Sequence, residues 1–162
     1  AGGVMLGVTS ADELSAAVRS ILANVSSKHP EAKIEGILVQ QMERGLAEVI
    51  LGYRRDPEVG PIIVLGMGGV LAEIYHDAAI RLAPTTLEDA RSMIDEVRGL
   101  AVIRGYRGLP KGDCGALAEA IVAMSQLAAI DAIADAEINP LLVKPEGEGV
   151  VALDGLVVLK RD

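Results

Sequence analysis

Three apolar runs, Ile34 to Met42, Leu46 to Tyr53 and Pro61 to Leu65, follow one another with only short polar connections between them. Each is the size of a strand, and no stretch between them has the length of a helix. Parallel neighbours need a long crossover, whereas antiparallel ones close through a short turn such as Arg44-Gly45. The first two runs are therefore expected to pair antiparallel, with Arg54-Arg55-Asp56-Pro57 ending the second. The residue pattern predicts further strands over Ala1 to Val8, Leu71 to Tyr75, Ala79 to Leu82, Ala136 to Val143 and Gly149 to Leu159. The last two are joined by the turn Pro145-Glu146-Gly147-Glu148-Gly149.

Helices are set apart from these strands. Ser10-Ala11-Asp12-Glu13 has the form of a capping box. Leu14, Val18, Ile21, Leu22 and Val25 then recur at helical spacing up to a stop near Lys28 to Pro30. Thr86 can cap a helix over Leu87 to Val97, with Leu87, Ala90, Ile94 and Val97 on one face. Asp113 can cap another that runs to about Ala129, with a stripe of Leu117, Ile121, Met124 and Ala128. Adjacent strands with segregated helices predict an α+β fold, a mixed or antiparallel sheet with packed helices, and not a doubly wound parallel sheet.

Composition narrows the function classes. The 162 residues are 51% hydrophobic, enough for one domain or two small lobes with a buried core. With no Phe, no Trp and three Tyr, that core is built from aliphatic side chains, and the stacking platforms that hold single-stranded nucleic acid are missing. Fifteen Lys and Arg against 23 Asp and Glu give a net charge of −8, which disfavours a nucleic-acid partner. A small phosphorylated ligand stays compatible, because backbone amides and a metal can hold phosphate in an acidic protein. Cys114 is the single cysteine, so no intrachain disulfide forms. It opens a helix, but without a partner base it reads as a packing residue. No apolar run reaches membrane-span length, and no signal peptide is visible. The expectation is a cytoplasmic protein with no membrane partner.

Four constellations could carry chemistry. Glu137 and Asn139 lie two apart on one predicted strand and so share a face, and Asp154 lies on the strand that returns. A hairpin can bring Asn139 and Asp154 together as a hard-oxygen pair suited to Mg²⁺. Asn-Pro and Asp-Gly are also common turn formers, so the pair alone leaves both readings open. Gly66-Met67-Gly68-Gly69, with Glu73 close behind, could let amides approach an anion or could simply be a turn. It is neither a dinucleotide fingerprint nor a Walker loop. Gln40, Glu43 and Glu48 could line a ring and a ribose, or form solvated strand faces. Arg104 and Arg107, in a glycine-rich loop, could fork onto phosphate or form salt bridges. His29, near a helix end, and His76, beside Asp77, read as exposed turn residues.

The order of these segments is more specific than any one of them. Gly2-Gly3-Val4, Gly36-Ile37-Leu38-Val39-Gln40, Glu48 with Gly52, Arg55-Asp56-Pro57 with Gly60-Pro61, Gly66 to Gly69 with Glu73, Gly105-Tyr106-Arg107-Gly108, Glu137-Ile138-Asn139-Pro140 and Leu153-Asp154-Gly155 follow in sequence. In this the chain resembles the ATP-grasp domain of ADP-forming acyl-CoA synthetases and, more distantly, the β subunit of succinyl-CoA synthetase. The resemblance implies that residues 1–42 are the remainder of a first lobe and residues 43–162 the second. It implies that Asn139 and Asp154 bind Mg²⁺ and that Gln40, Glu43 and Glu48 line the base and ribose of ATP or ADP. Gly68, Gly69 and Glu73 would stand near the phosphate-transfer site. Glu137 would meet a phosphohistidine carried by a separate CoA-binding domain, on the same chain or on another subunit. At Gln40 the succinyl-CoA synthetase relatives often carry Glu, so the base contact is expected to differ. Neither His29 nor His76 matches a functional histidine of the family.

A rival expectation, from the same resemblance, is a regulatory ligand-sensing module of the kind fused to protein-lysine acetyltransferases. A third is a purely structural subunit interface. The acyl substrate and the oligomeric state are left open. The family carries a phosphate-binding lysine before the segment matching Gly2-Gly3-Val4, so the chain reads as an N-terminally truncated piece. The 162-residue chain alone is therefore expected to show no CoA-dependent ADP formation with acetate in a coupled assay, since a phosphate-clamping cation stabilises the transition state by several kcal/mol. Robust turnover would refute that expectation.

Overall fold

The computed structural model describes residues 2–68 and 77–160. The chain divides into two compact units, residues 1–43 and 44–162. The predicted strand over 71–75, together with Gly69, Glu73 and His76, lies outside the described residues.

The first unit is built on α1 (Ala11–Lys28). Ser10 caps it by accepting the Glu13 N–H at 3.2 Å. The Glu13 carboxylate reaches the Thr9 N–H at 2.7 Å and the Thr9 hydroxyl at 2.8 Å, so the capping box closes one residue earlier than the sequence suggests. Ala17 is the buried residue of the helix, while Leu22, expected in the stripe, is 39% exposed. The stretches 1–8 and 34–42, both expected as strands, form no ladder among the described residues. A strand is defined by its partner, and the expected partner of 34–42 is committed elsewhere. Leu46 to Tyr53 lies largely within β1 (Ala47–Asp56), which pairs with β2 (Gly60–Met67) and β4 (Ile133–Val143) instead.

The second unit is an α+β layer pair. Six strands form its sheet among the described residues, in the order β3-β2-β1-β4-β5, with β6 also on β4. Here β3 is Ala78–Leu82, β4 Ile133–Val143, β5 Val150–Ala152 and β6 Gly155–Leu159. Every pairing is antiparallel. Two helices, α2 (Leu87–Glu96) and α3 (Cys114–Ser125), contribute to the same buried cluster as the sheet. The clean alternation of β1 decides which face is buried. Val49, Leu51 and Tyr53 are fully buried, which turns Glu48, Ile50, Gly52 and Arg54 to the opposite face.

The helix stripes follow the 3.6-residue period with local shifts. Thr86 caps α2 in a reciprocal box with Asp89. Ala90, Met93, Ile94 and Val97 are buried while Leu87, in the first turn, is 40% exposed. α3 buries Leu117, Ala118, Ile121 and Ser125, then tightens into the 3₁₀ turn Gln126–Ala129. Ser125, fully buried, accepts the N–H of buried Thr85 at 3.0 Å and donates to the Val122 carbonyl at 2.7 Å, which settles a main-chain donor the core would otherwise strand.

Asp113 joins α3 to the turn after β4. Its carboxylate accepts the Ala116 N–H at 2.9 Å and the N–H groups of Gly147 and Gly149 at 3.0 Å each. Those glycines have φ of +85° and +81°, a left-handed backbone that glycine adopts at no steric cost. The donors, Ala116 first, hold the Asp113 carboxyl below its ordinary 3.8. A depressed folded-state pKa contributes stability that is present above the ordinary value and is lost as pH falls through the depressed one. Asp113→Asn is expected to be less stable than the parent at pH 7 in urea unfolding, with the gap closing as the pH falls below 3.8. A gap independent of pH would rule out the charged cap.

Candidate functional site

The site is organised by an irregularity in β4. Leu51 pairs with Ile138 but Val49 with Leu141, so two steps on β1 face three on β4. The extra residue is a bulge at Asn139-Pro140, opposite Ile50. It keeps Ile138 and Leu141 against the core and leaves Glu137 and Asn139 on the open face. Proline suits such a position because it has no N–H to give to a ladder.

The strand on the other edge of β4 is interrupted at the same level. The region 149–159, expected as one strand, is two: β5 pairs with 141–143 and β6 with 133–138. Both segments keep one register along β4 on either side of the interruption. Leu153 and Asp154 fall at the break, where the Leu153 N–H reaches the Pro140 carbonyl and the Asn139 N–H reaches the Asp154 carbonyl, both at 3.1 Å. Asn139 and Asp154 therefore stand side by side, as the hairpin reading anticipates. Their side chains are held as well. The Asn139 amide Nδ2 donates to Glu137 Oε1 at 3.1 Å, and Asp154 Oδ1 accepts the Gly155 N–H at 2.8 Å. With its NH₂ committed to Glu137, the amide turns its carbonyl oxygen away from Glu137. The result is a pair of exposed hard-oxygen donors of the kind that magnesium takes from protein.

Glu48 lies on the same open face of β1, four residues before Gly52, which pairs with Glu137; at strand rise that is about 13 Å along the sheet. Gly68 is packed against it. The Gly68 N–H donates to the Glu48 carbonyl at 2.8 Å, and a Cβ at Gly68 would lie 3.0 Å from that oxygen and 3.2 Å from the Glu48 Cβ. Gln40 and Glu43 belong to the first unit, where Gln40 borders a groove of about 350 Å³ with Met5, Leu14, Ile21 and Leu38.

The remaining candidates have structural partners. Arg104 donates to the carbonyls of Ile94 at 2.7 Å, Asp95 at 3.3 Å and Val97 at 3.4 Å. It caps the end of α2, which has no basic residue in its own last turn; neither phosphate nor salt bridge is needed to explain it. Burial pushes the Cys114 thiol up, opposing any thiolate preference from the helix start. His29 caps α1 and lies 3.4 Å from Glu31. Two features escaped the sequence reading. One is the bulge, whose signal was the proline inside a strand pattern. The other is the Gly155 N–H that orients Asp154.

Comparison with known proteins is decisive on family. A family model for the ATP-grasp domain matches residues 1–159. The chain belongs to the ATP-grasp family. Among ATP-grasp relatives, it is 41% identical over 152 residues to acetate–CoA ligase (ADP-forming) I of Archaeoglobus fulgidus, covering 93% of this chain and 22% of that protein. It is 35% identical over 159 residues to the β subunit of acetate–CoA ligase (ADP-forming) II of Pyrococcus furiosus, covering 97% of this chain and 67% of the subunit. A solved structure of the dinucleotide-forming acetyl-coenzyme A synthetase 1 of Ca. Korarchaeum cryptofilum is similar with a TM-score of 0.84 and 32% identity, over 98% of this chain and 68% of that one. That structure holds coenzyme A and Mg-AMPPCP, with its phosphohistidine segment pointing towards the nucleotide-binding site. This chain thus spans about a fifth of the single-chain ligase and two thirds of the β subunit. Among the described residues no helix is long and apolar enough to cross a membrane.

The tight seat of Gly68 gives a direct expectation. In Gly68→Ala the new methyl pushes on the Glu48 main chain, and urea unfolding is expected to show a loss of about 1–3 kcal/mol, the usual cost of overpacking. An unchanged midpoint would mean that the loop does not depend on this contact.

Proposed function

We propose that this ATP-grasp chain is the nucleotide- and Mg²⁺-binding part of an ADP-forming acyl-CoA synthetase. It would transfer a phosphoryl group between ATP or ADP and a phosphohistidine carried on a CoA-binding domain, coupled to acyl-CoA formation. The observation that carries the reading is the Asn139 N–H to Asp154 carbonyl bond at 3.1 Å, which sets an amide and a carboxylate side by side on the open face of the sheet. Family membership and the names of the relatives support it. The three relatives above are ligases or synthetases and none is an acetyltransferase, which favours this reading over a regulatory module.

Within it, residues 1–42 form the end of the first ATP-grasp lobe and residues 43–162 the second. Asn139 Oδ1 and the Asp154 carboxylate would hold the cation, the hard-oxygen donors that magnesium takes from protein. Bound there, Mg²⁺ supplies charge neutralisation on the phosphates, which is most of what a phosphoryl transfer asks of its catalyst. Glu137 holds the Asn139 amide with Oε1 and offers its second oxygen to an imidazole N–H of the docking histidine. Glu48 takes a ribose hydroxyl, and Gln40 and Glu43 line the base. Gly68 and Gly69 border the phosphates with Glu73. The histidine-bearing partner is a CoA-binding domain, fused or separate, and the compartment is the cytoplasm.

The test is Asp154→Ala in the intact protein. Calorimetry with ADP is expected to show loss of the Mg²⁺-dependent part of binding, and phosphoryl transfer to the histidine is expected to fall by about 100-fold or more, the scale of losing one electrostatic stabiliser. Undiminished Mg²⁺-dependent binding would sink the assignment.

A further inference from the structure

Gly52 occupies an interior position of β1, paired with Val64 on one side and Glu137 on the other. Glycine is a poor choice there, since it adds backbone entropy to the unfolded chain and gives the sheet no side chain to pack. Among the described residues, fold-based reasons for a glycine are missing at this position. Its φ is not among the positive values of the chain, so any L-residue fits the backbone. A Cβ built on it would meet the Ala136 carbonyl oxygen at 3.9 Å and the Val64 Cβ at 4.0 Å, ordinary van der Waals contact. Gly68 and Gly112 differ sharply, with atoms at 3.0 Å and 2.8 Å from the added carbon. Those two glycines are required by their neighbours, whereas Gly52 is not.

The vacancy lies on the open face, not in the core. Leu51 and Tyr53, its sequence neighbours, are fully buried on the helix side, and Gly52 points the other way with Glu48 and Arg54. Beside it stands Glu137, whose Oε1 holds the Asn139 amide. Among the described residues, a Cβ at residue 52 would point into the space beside Glu137 with no contact shorter than 3.9 Å.

We propose that Gly52 is a ligand-contact position: its bare backbone is the floor on which the polyphosphate end of a nucleoside di- or triphosphate lies, next to Asn139 and Asp154. This rests on the nucleotide reading above and adds to it a residue that sets how closely the ligand approaches the sheet. Glycine in a strand is favoured where a ligand comes close to the backbone, and the loss in strand stability is the counterpart of that access.

The experiment compares Gly52→Ala and Gly52→Val with the parent, in the intact protein, by urea unfolding and by calorimetric titration with magnesium AMPPCP. Both variants are expected to unfold at a midpoint equal to or above the parent's. Dissociation constants are expected to rise about tenfold for Ala and further for Val, a loss graded by side-chain size. A lower midpoint in both variants would mean that the fold itself needs the glycine and would overturn the proposal. So would unaltered affinity in Gly52→Val, in which case the nucleotide reading stands without it. A parent protein that does not bind magnesium AMPPCP would overturn both.

Discussion

One strand, β4, organises the second unit. It bonds β1 along one edge and both β5 and β6 along the other, and its bulge against β1 keeps both Ile138 and Leu141 on the core side. The returning chain keeps one register along β4 past that bulge. At Leu153-Asp154 it is held by two main-chain hydrogen bonds to Asn139 and Pro140. The carboxylate of the site therefore lies directly across from the amide. A regular ladder would have moved either Ile138 or Leu141 out of the core.

The two faces of the sheet divide the labour. One carries Val49, Leu51, Tyr53, Ile63 and Leu65, all fully buried with residues of α2 and α3. Most of the apolar burial in this unit is concentrated there, and the face leaves little freedom for substitution. The other presents Glu48, Gly52, Glu137 and Asn139 on a rigid support whose stability does not depend on them. Rigid backing is what an electrostatic site needs, since dipoles and charges held in place in advance need no reorganisation when a ligand arrives.

Polar ties serve the same end elsewhere. Asp113 anchors the start of α3 to the turn at 147–149 with three main-chain donors, and Arg104 collects the free carbonyls at the end of α2. In sequence, Asp113 read as a helix cap, and Arg104 as a residue that could fork onto phosphate or form a salt bridge. Their partners are main-chain groups of this chain.

Local pattern determined much of this protein. The α+β class, the three principal helices with their caps at Ser10, Thr86 and Asp113, and the strands around 47–56, 60–67 and 133–143 were legible because capping and side-chain periodicity act over a few residues. Glu137, Asn139 and Asp154 were legible as a set because a hairpin follows from its turn. Pairing was not legible. Residues 34–42 have every local property of a strand, yet β1 finds its neighbours in β2 and β4, one on each edge. The interruption of 149–159 at Leu153-Asp154 was hidden too, since nothing in the local pattern of that run marks it. The room beside Gly52 among the described residues belongs to the same class: the sequence names a glycine, but only the packed sheet tells which of its neighbours leave it room.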